Sequence, residues 1–181
     1  MPYRCINDGL HPSLNISRPF GAKINQMENI KRITKLLKVH YNGIPWIDVS
    51  IAKTLKSVTA KQAAATIGEL NSIWQIVNHM IAWRNALIGR VKDKPVPAPA
   101  DNFIQEVKNT TPKAWKDTLK KFETSQKNII SFLSRSNDRS LEKVSPTSGY
   151  TYYELVMAIL VHDTYHLGQI VLIKKLLSQK K

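Results

Sequence analysis

The sequence contains very little cysteine. Cys5 is the only cysteine among 181 residues, so a disulfide within the chain is excluded. A reducing, cytoplasmic compartment is therefore the expectation. The first 21 residues, MPYRCINDGLHPSLNISRPFG, also lack the unbroken apolar segment of a secretory signal.

Long hydrophobic runs and glycine motifs are missing as well. No stretch of 18 consecutive apolar residues occurs, so we predict no membrane-spanning helix. No G-x-S-x-G, P-loop or dinucleotide-binding glycine motif is present, which gives no support to Ser/His/Asp or nucleotide-dependent catalysis. At 43% hydrophobic and 22% charged residues, the composition is that of an ordinary soluble globular protein.

Acidic residues are scarce relative to basic ones. The chain has 13 Asp and Glu against 27 Lys and Arg, a formal net charge of +14. Such an excess favours anionic partners. However, the lysines are scattered, and the densest patches, KDTLKKF and KKLLSQKK, are not interleaved with aromatic residues. We interpret the charge as a solvated basic surface, and we do not expect nucleic acid to be the main partner.

The periodicity of the sequence predicts an all-α protein. Residues 1–25 are broken by proline and glycine and form a predicted irregular leader, whereas residues 26–181 form one predicted domain. Four amphipathic helices are predicted there, at about 26–41, 71–91, 111–133 and 151–177, and no good alternating strand pattern occurs. The predicted N-terminal caps are Asn71 or Ser72, Thr110 or Thr111 before Pro112, and Thr151 with Glu154. The pattern favours a four-helix bundle.

The fourth helix carries two histidines on its predicted inward seam. Its heptad positions are otherwise apolar, and the polar occupants are His162, His166 and Gln169. Two histidines four residues apart on a helix can reach one ion. His79 falls on the apolar stripe of the second helix, which predicts that it also faces the interior.

Three inward histidines would form a triangular donor set. Three protein ligands leave coordination positions open, which is the pattern of a catalytic metal rather than a structural one. The alternative is that each buried imidazole is simply hydrogen-bonded in the core. His40, at the end of the first helix, is a weaker candidate, and His11 in the leader is set aside.

Residues around these histidines have two readings each. Gln169 either orients a ligand or packs as an amide between helices, and Tyr165 is either a proton donor or a packed aromatic residue. Asp163 is expected to contact a neighbouring helix or a ligand residue rather than to bind metal. Trp83 either walls the pocket or is simply a core residue, and Gly168 should permit close helix approach.

The segments NSIWQIVNHMIAWRNALIGRV and GYTYYELVMAILVHDTYHLGQIVLIKKLL resemble the DinB/YfiT-like superfamily of four-helix bundles. The resemblance covers about residues 26–178. It implies a divalent metal, usually zinc or nickel, bound by His79, His162 and His166, and it implies a homodimer. Some branches of the family are thiol-dependent transferases that use bacillithiol, mycothiol or glutathione, and one branch isomerises maleylpyruvate.

Three hypotheses about function follow. The first is a metal-dependent thiol S-transferase or hydrolase acting on a small molecule, with a low-molecular-weight thiol as a possible co-substrate. The second is a non-catalytic, metal-stabilised bundle that binds a small molecule or is associated with DNA damage. The third is a nucleic-acid-associated protein. Three imidazoles suit zinc and nickel equally, so the sequence does not choose the metal.

Overall fold

The computed structural model describes residues 28–94 and 96–179, so the predicted leader, residues 1–25, lies outside the described residues. The described residues form seven α-helices and no β-strand, which confirms the predicted all-α class. The helices are α1 (Glu28–Asn42), α2 (Ile51–Lys56), α3 (Ala60–Ala64), α4 (Ile73–Arg90), α5 (Pro112–Ser134), α6 (Asp138–Leu141) and α7 (Tyr152–Gln179).

The four long helices, α1, α4, α5 and α7, correspond to the four predicted ones. Local hydrogen bonds explain where they begin. The Ser72 hydroxyl accepts from the Gln75 backbone N–H, and Thr111 caps α5 with Pro112 in its first turn. At the start of α7, the Glu154 carboxylate accepts from the Thr151 backbone N–H at 2.7 Å, as predicted. The short helices α3 and α6, which the sequence did not predict, begin with capping boxes of their own.

Helices α4 and α5 run in the same direction. Near the start of both, the Trp74 indole N–H donates to the Thr118 hydroxyl, and further along both Arg84 donates to Gln126. The described residues between these helices, 91–94 and 96–111, must therefore return along the bundle before α5 begins. As a result, a turn at residues 99–104 lies beside α4, where the Asn102 carbonyl contacts His79.

Helix α7 runs antiparallel to α4. The Arg84 guanidinium binds Asp163 in the middle of both helices. Near the C-terminal end of α4 and the N-terminal end of α7, the Tyr152 hydroxyl donates to Asp93. This pairing sets residues 79–90 of α4 beside residues 152–166 of α7.

Two apolar clusters fill the bundle, with a band of polar side chains between them. One cluster contains residues from the first half of α4, the first half of α5 and the second half of α7. The other contains residues from the second half of α4, the second half of α5, the first half of α7, and α1. The band between them, which we call the polar layer, comprises one buried side chain from each long helix: His40, Arg84, Gln126 and Asp163. The Gln126 amide donates to the Leu37 carbonyl, which joins α5 to α1.

Helix α7 is long and apolar enough to cross a membrane by length and composition alone. The prediction from consecutive apolar residues gave no such helix, because His162, Asp163 and His166 interrupt the run. In the structure, α7 packs against α4, and Asp163 in its middle is fully buried against Arg84. Packing in the bundle accounts for only part of its hydropathy, because 39% of its most apolar window is buried and Val161, Tyr165 and Leu172 are exposed.

Candidate metal centre

The structure brings His79, His162 and His166 together at one point between α4 and α7. The Nε2 atom of His162 lies 2.9 Å from Nε2 of His79 and 3.2 Å from Nε2 of His166. One nitrogen from each ring lies within 4.8 Å of the others. The antiparallel pairing of the two helices produces this convergence, because it places the middle of α7 beside the first half of α4.

Hydrogen bonds at the outer nitrogens fix the orientation of two of these rings. Nδ1 of His79 lies 2.7 Å from the backbone carbonyl oxygen of Asn102, and Nδ1 of His166 lies 2.7 Å from the side-chain carbonyl oxygen of Gln169. A carbonyl oxygen only accepts, so both Nδ1 atoms carry the proton. The Nε2 atoms of these two rings therefore present lone pairs to the shared point.

Such an arrangement is incompletely satisfied without a cation. If all three imidazoles are neutral, only His162 can place a proton among the three Nε2 atoms, and that proton can bond to one neighbour well. At least one inward lone pair then lacks a donor. Ligand nitrogens about 2.1 Å from an ion lie roughly 3.0–3.4 Å apart for right-angle to tetrahedral geometry, which agrees with the separations of 2.9 and 3.2 Å. The donor set thus fits a divalent metal ion.

His162 also has an outer nitrogen without a hydrogen bond. Its Nδ1 and the Asp163 Oδ1 are both buried and unpaired in the described structure, and they lie 3.8 Å apart. A shift of about 1 Å would bring them to hydrogen-bond distance. The carboxylate is therefore placed to accept the Nδ1 proton of His162 and leave its Nε2 free to bind a metal, as carboxylates commonly do for metal-binding histidines.

The Asp163 carboxylate is held in place by Arg84. Nε and Nη2 of Arg84 donate to Oδ2 of Asp163 at 3.0 and 2.7 Å, and Nη1 donates to Gln126 at 2.9 Å. The guanidinium also lies over the Phe122 ring, 4.4 Å from its centre. Because Oδ2 takes both donors from Arg84, Oδ1 is the oxygen that remains for His162.

Burial keeps two of the three imidazoles neutral. It lowers the pKa of His79 below its ordinary value, and it lowers the pKa of His166 to about 4, more than the hydrogen bond to Gln169 raises it. A neutral imidazole is the form that binds metal. The desolvation that favours metal binding here comes from the packing of α4 against α7.

A cavity of about 410 Å³ opens onto the three histidines. Its remaining walls are Asn71, Ile76, Trp83, Asn102, Ile104, Tyr165 and Gln169. Trp83 lies beside the site as predicted, with its ring 6.2 Å from that of His162 and its N–H donating to the Asn102 side chain. The centre is thus reachable from outside, which a purely structural metal does not require.

The buried face of α7 differs in one respect from the prediction. The predicted seam centred on His162 and His166, whereas the most buried polar side chain is Asp163 and the His162 side chain is 24% exposed. His162 therefore lies at the edge of the bundle beside the cavity, whereas His166 is buried as the seam predicted and the ion pair occupies the centre.

The other predicted residues occupy varied positions. Gln169 contacts His166 directly, so its position fits orienting that ring rather than packing alone. Tyr165 is 64% exposed at the cavity rim, which is not the packed-aromatic alternative. His40 lies apart from the cluster and contacts the Thr164 hydroxyl. The expectation for Gly168 was wrong, because a Cβ there would meet no atom within 4 Å.

Sequence reasoning missed Arg84 and Asn102. Arg84 lies on a heptad seam of α4 whose other members are apolar, Ile73, Val77, Met80, Leu87 and Val91, and this single charge was a signal for a buried partner. Asn102 belongs to the connection and acts through its backbone carbonyl. Its φ of 50°, followed by 61° at Phe103, is an uncommon conformation for residues other than glycine.

Comparison with known proteins agrees with the geometry. A sequence profile described as the DinB superfamily matches residues 50–170, which is about two-thirds of the chain. No curated protein and no solved structure matches the chain. The matched residues include all three histidines, and the chain belongs to the DinB superfamily.

Proposed function

We propose that this member of the DinB superfamily binds one zinc or nickel ion through His79, His162 and His166 and uses it as a metal-dependent enzyme. The observation that carries the proposal is the convergence of three Nε2 atoms, two of them with lone pairs fixed by outer hydrogen bonds. The cavity beside them supplies access for a small-molecule substrate.

The reaction class that fits best is thiol S-transfer or hydrolysis. A divalent ion held by three neutral imidazoles keeps its full charge and, when bound, favours the deprotonated form of a thiol or water at its open positions. The protein residues orient the donors: the Asn102 carbonyl fixes His79 and Gln169 fixes His166. Asp163 Oδ1 lies 3.8 Å from the unpaired Nδ1 of His162, where a small shift would let it accept that proton. Tyr165, at the rim, is the proposed proton donor to a leaving group.

Metal content tests the first part of the proposal. Untagged protein is incubated with excess zinc or nickel, separated from free metal and analysed for bound ion. We expect about one equivalent in the wild type and little in His79→Ala. His40→Gln serves as the matched control, because His40 is also buried but lies outside the cluster. Wild-type protein without a stoichiometric ion, or equal loss in the control, would contradict metal binding at this site.

Activity and stability measurements separate a catalytic from a structural ion. We expect thiol-conjugation or hydrolysis activity on a substrate panel in the metal-loaded wild type and its loss in His79→Ala, while helical circular dichroism is retained. A metal-free protein that loses its helical signal altogether would favour the alternative, a non-catalytic bundle stabilised by metal. Retained activity in a metal-free, folded protein would exclude the proposed enzyme mechanism.

A further inference from the structure

A second cavity lies next to the candidate metal centre, on the surface between α4 and α7. Its volume is about 210 Å³, and seven residues line it: Trp83, Leu87, Arg90, Leu155, Ala158, Ile159 and His162. Trp83 and His162 also line the larger cavity, so these two side chains form a wall common to both. An occupant of the smaller cavity would therefore lie directly beside the metal-binding histidines.

The shape of this cavity follows from the pairing of the two helices. Trp83, Leu87 and Arg90 recur on one face of α4, and Leu155, Ile159 and His162 recur on one face of α7. Because the helices are antiparallel, the cavity begins between Trp83 and His162 and continues toward the C-terminal end of α4. Seven residues of α-helix span about 10 Å, which is the length available to an occupant.

Arg90 is the single charged side chain in this otherwise mainly apolar lining. Its guanidinium carbon lies 5.2 Å from the centre of the Trp83 ring, and Nη2 makes a long 3.4 Å hydrogen bond to the Val96 carbonyl. Among the ion pairs found in residues 28–94 and 96–179, none involves Arg90. Stacking on the indole holds the guanidinium over the cavity. The Val96 carbonyl is its one hydrogen-bond acceptor among the described residues, so with respect to them most of its five N–H groups remain available.

These observations point to the chemistry of the occupant. A volume of 210 Å³ equals that of about seven water molecules, enough for a short hydrocarbon chain or one aromatic ring. A guanidinium recognises a planar carboxylate by two parallel hydrogen bonds. The net charge of +14 raises the local concentration of anions.

We infer that this cavity binds the apolar body of a small carboxylate substrate, with the carboxylate at Arg90 and the reacting end at the metal centre. The inference deepens the proposed function and rests on it in one respect: the bound carboxylate is a substrate only if the protein is an enzyme. Binding in the cavity itself needs no metal, because the apolar walls and Arg90 are present without one. The two proposals can therefore fail separately.

Calorimetric titration of the full-length protein with octanoate tests the inference. We expect octanoate to bind the metal-free and the zinc-loaded protein with affinities within about twofold of each other. Octan-1-ol, which has the same chain without the charge, should bind about tenfold more weakly, as expected for loss of charge-assisted hydrogen bonds.

Three variants assign the binding to the cavity. Arg90→Gln should weaken octanoate about tenfold and leave octan-1-ol unchanged. Arg139→Gln, which removes the same charge from an exposed position outside the cavity, should leave both unchanged. Ala158→Trp should abolish both, because it adds a large side chain at an exposed lining position without disturbing the core.

Three other outcomes contradict the inference, and a fourth contradicts only the proposed enzyme function. If octanoate does not bind, or if it binds Arg90→Gln and the wild type equally, there is no carboxylate site at Arg90. If octanoate binds only the zinc-loaded protein, its carboxylate binds the zinc ion and not Arg90. A protein that takes up no zinc yet binds octanoate through Arg90 contradicts the proposed enzyme function and retains the cavity as a binding site.

Discussion

Arg84 of α4 and Asp163 of α7 form an ion pair in the centre of the bundle, with side chains 1% exposed and a shortest N–O distance of 2.7 Å. Asp163 directly follows His162 in α7, so the pair links the candidate metal centre to the core. Burying two charges is costly unless both remain paired. Stability and metal binding are therefore expected to depend on the same contact.

Removing one partner should destabilise the protein strongly. Arg84→Met leaves the Asp163 carboxylate buried without its donors, and we expect the free energy of unfolding to fall by about 3–5 kcal/mol. The double variant Arg84→Met/Asp163→Leu removes both charges and should recover most of that loss. Urea unfolding of the metal-free proteins measures both values. A double variant that is less stable than the single one would contradict this account of the pair.

The Asp163 carboxylate should also control metal affinity. Asp163→Asn can no longer accept the His162 proton as a carboxylate does, so we expect zinc affinity to fall about 10- to 100-fold in competition with a chelator. Gln126→Met is the control, because it removes another partner of Arg84 without touching His162. If the two variants weaken zinc binding equally, the effect comes from the core and not from the carboxylate–imidazole contact.

The Asn102 turn should affect the metal centre through its backbone. Asn102→Gly keeps the positive φ readily and preserves the carbonyl that accepts from His79, so zinc affinity should stay within about twofold of wild type. Asn102→Val disfavours that conformation by about 1–2 kcal/mol and should weaken zinc binding several-fold. The same chelator competition measures both. Equal losses would instead assign the role to the Asn102 side chain, which accepts from Trp83.

Acid should destabilise the metal-free protein through His166. Its pKa is about 4 in the folded protein against 6.5 when unfolded, so between these values the unfolded chain binds a proton that the folded chain does not. Stability should therefore fall as the pH drops from about 6.5 to 4, by about 3 kcal/mol from this residue, and no further below that.

Comparison with His166→Gln isolates this contribution from the other titrating groups. Urea unfolding at pH 7, 5.5 and 4 should show a smaller loss of stability in the variant than in the wild type. Parallel pH profiles in the two proteins would show that His166 is not kept neutral by its surroundings.

Local signals explain most of what the sequence predicted. The starts of α4, α5 and α7 depend on hydrogen bonds between residues three apart, such as Ser72 with Gln75, so they can be recognised in a short window. The convergence of the histidines was predictable because both helices have apolar stripes that contain them. That convergence is seen in the structure, while binding of a metal by them stays a prediction.

The remaining features depend on contacts distant in sequence. Asp163 was expected to contact a neighbouring helix, but its partner Arg84 lies 79 residues away and no local pattern pairs them. The buried face of α7 is consequently rotated toward Asp163 relative to the predicted seam. Asn102 could not be identified because it acts through a main-chain oxygen, which the turn at residues 99–104 places beside α4.

The polar layer, formed by His40, Arg84, Gln126 and Asp163, has a consequence for how the four helices are aligned lengthwise. Sliding any one helix by a turn, about 5.4 Å, would move its polar group against aliphatic side chains and strip it of its partners. Leucines at all four positions would tolerate such sliding, because one aliphatic contact resembles the next. The polar layer therefore fixes the position of each helix along the bundle axis. The positions that it sets for α4 and α7 are those at which the three imidazoles meet.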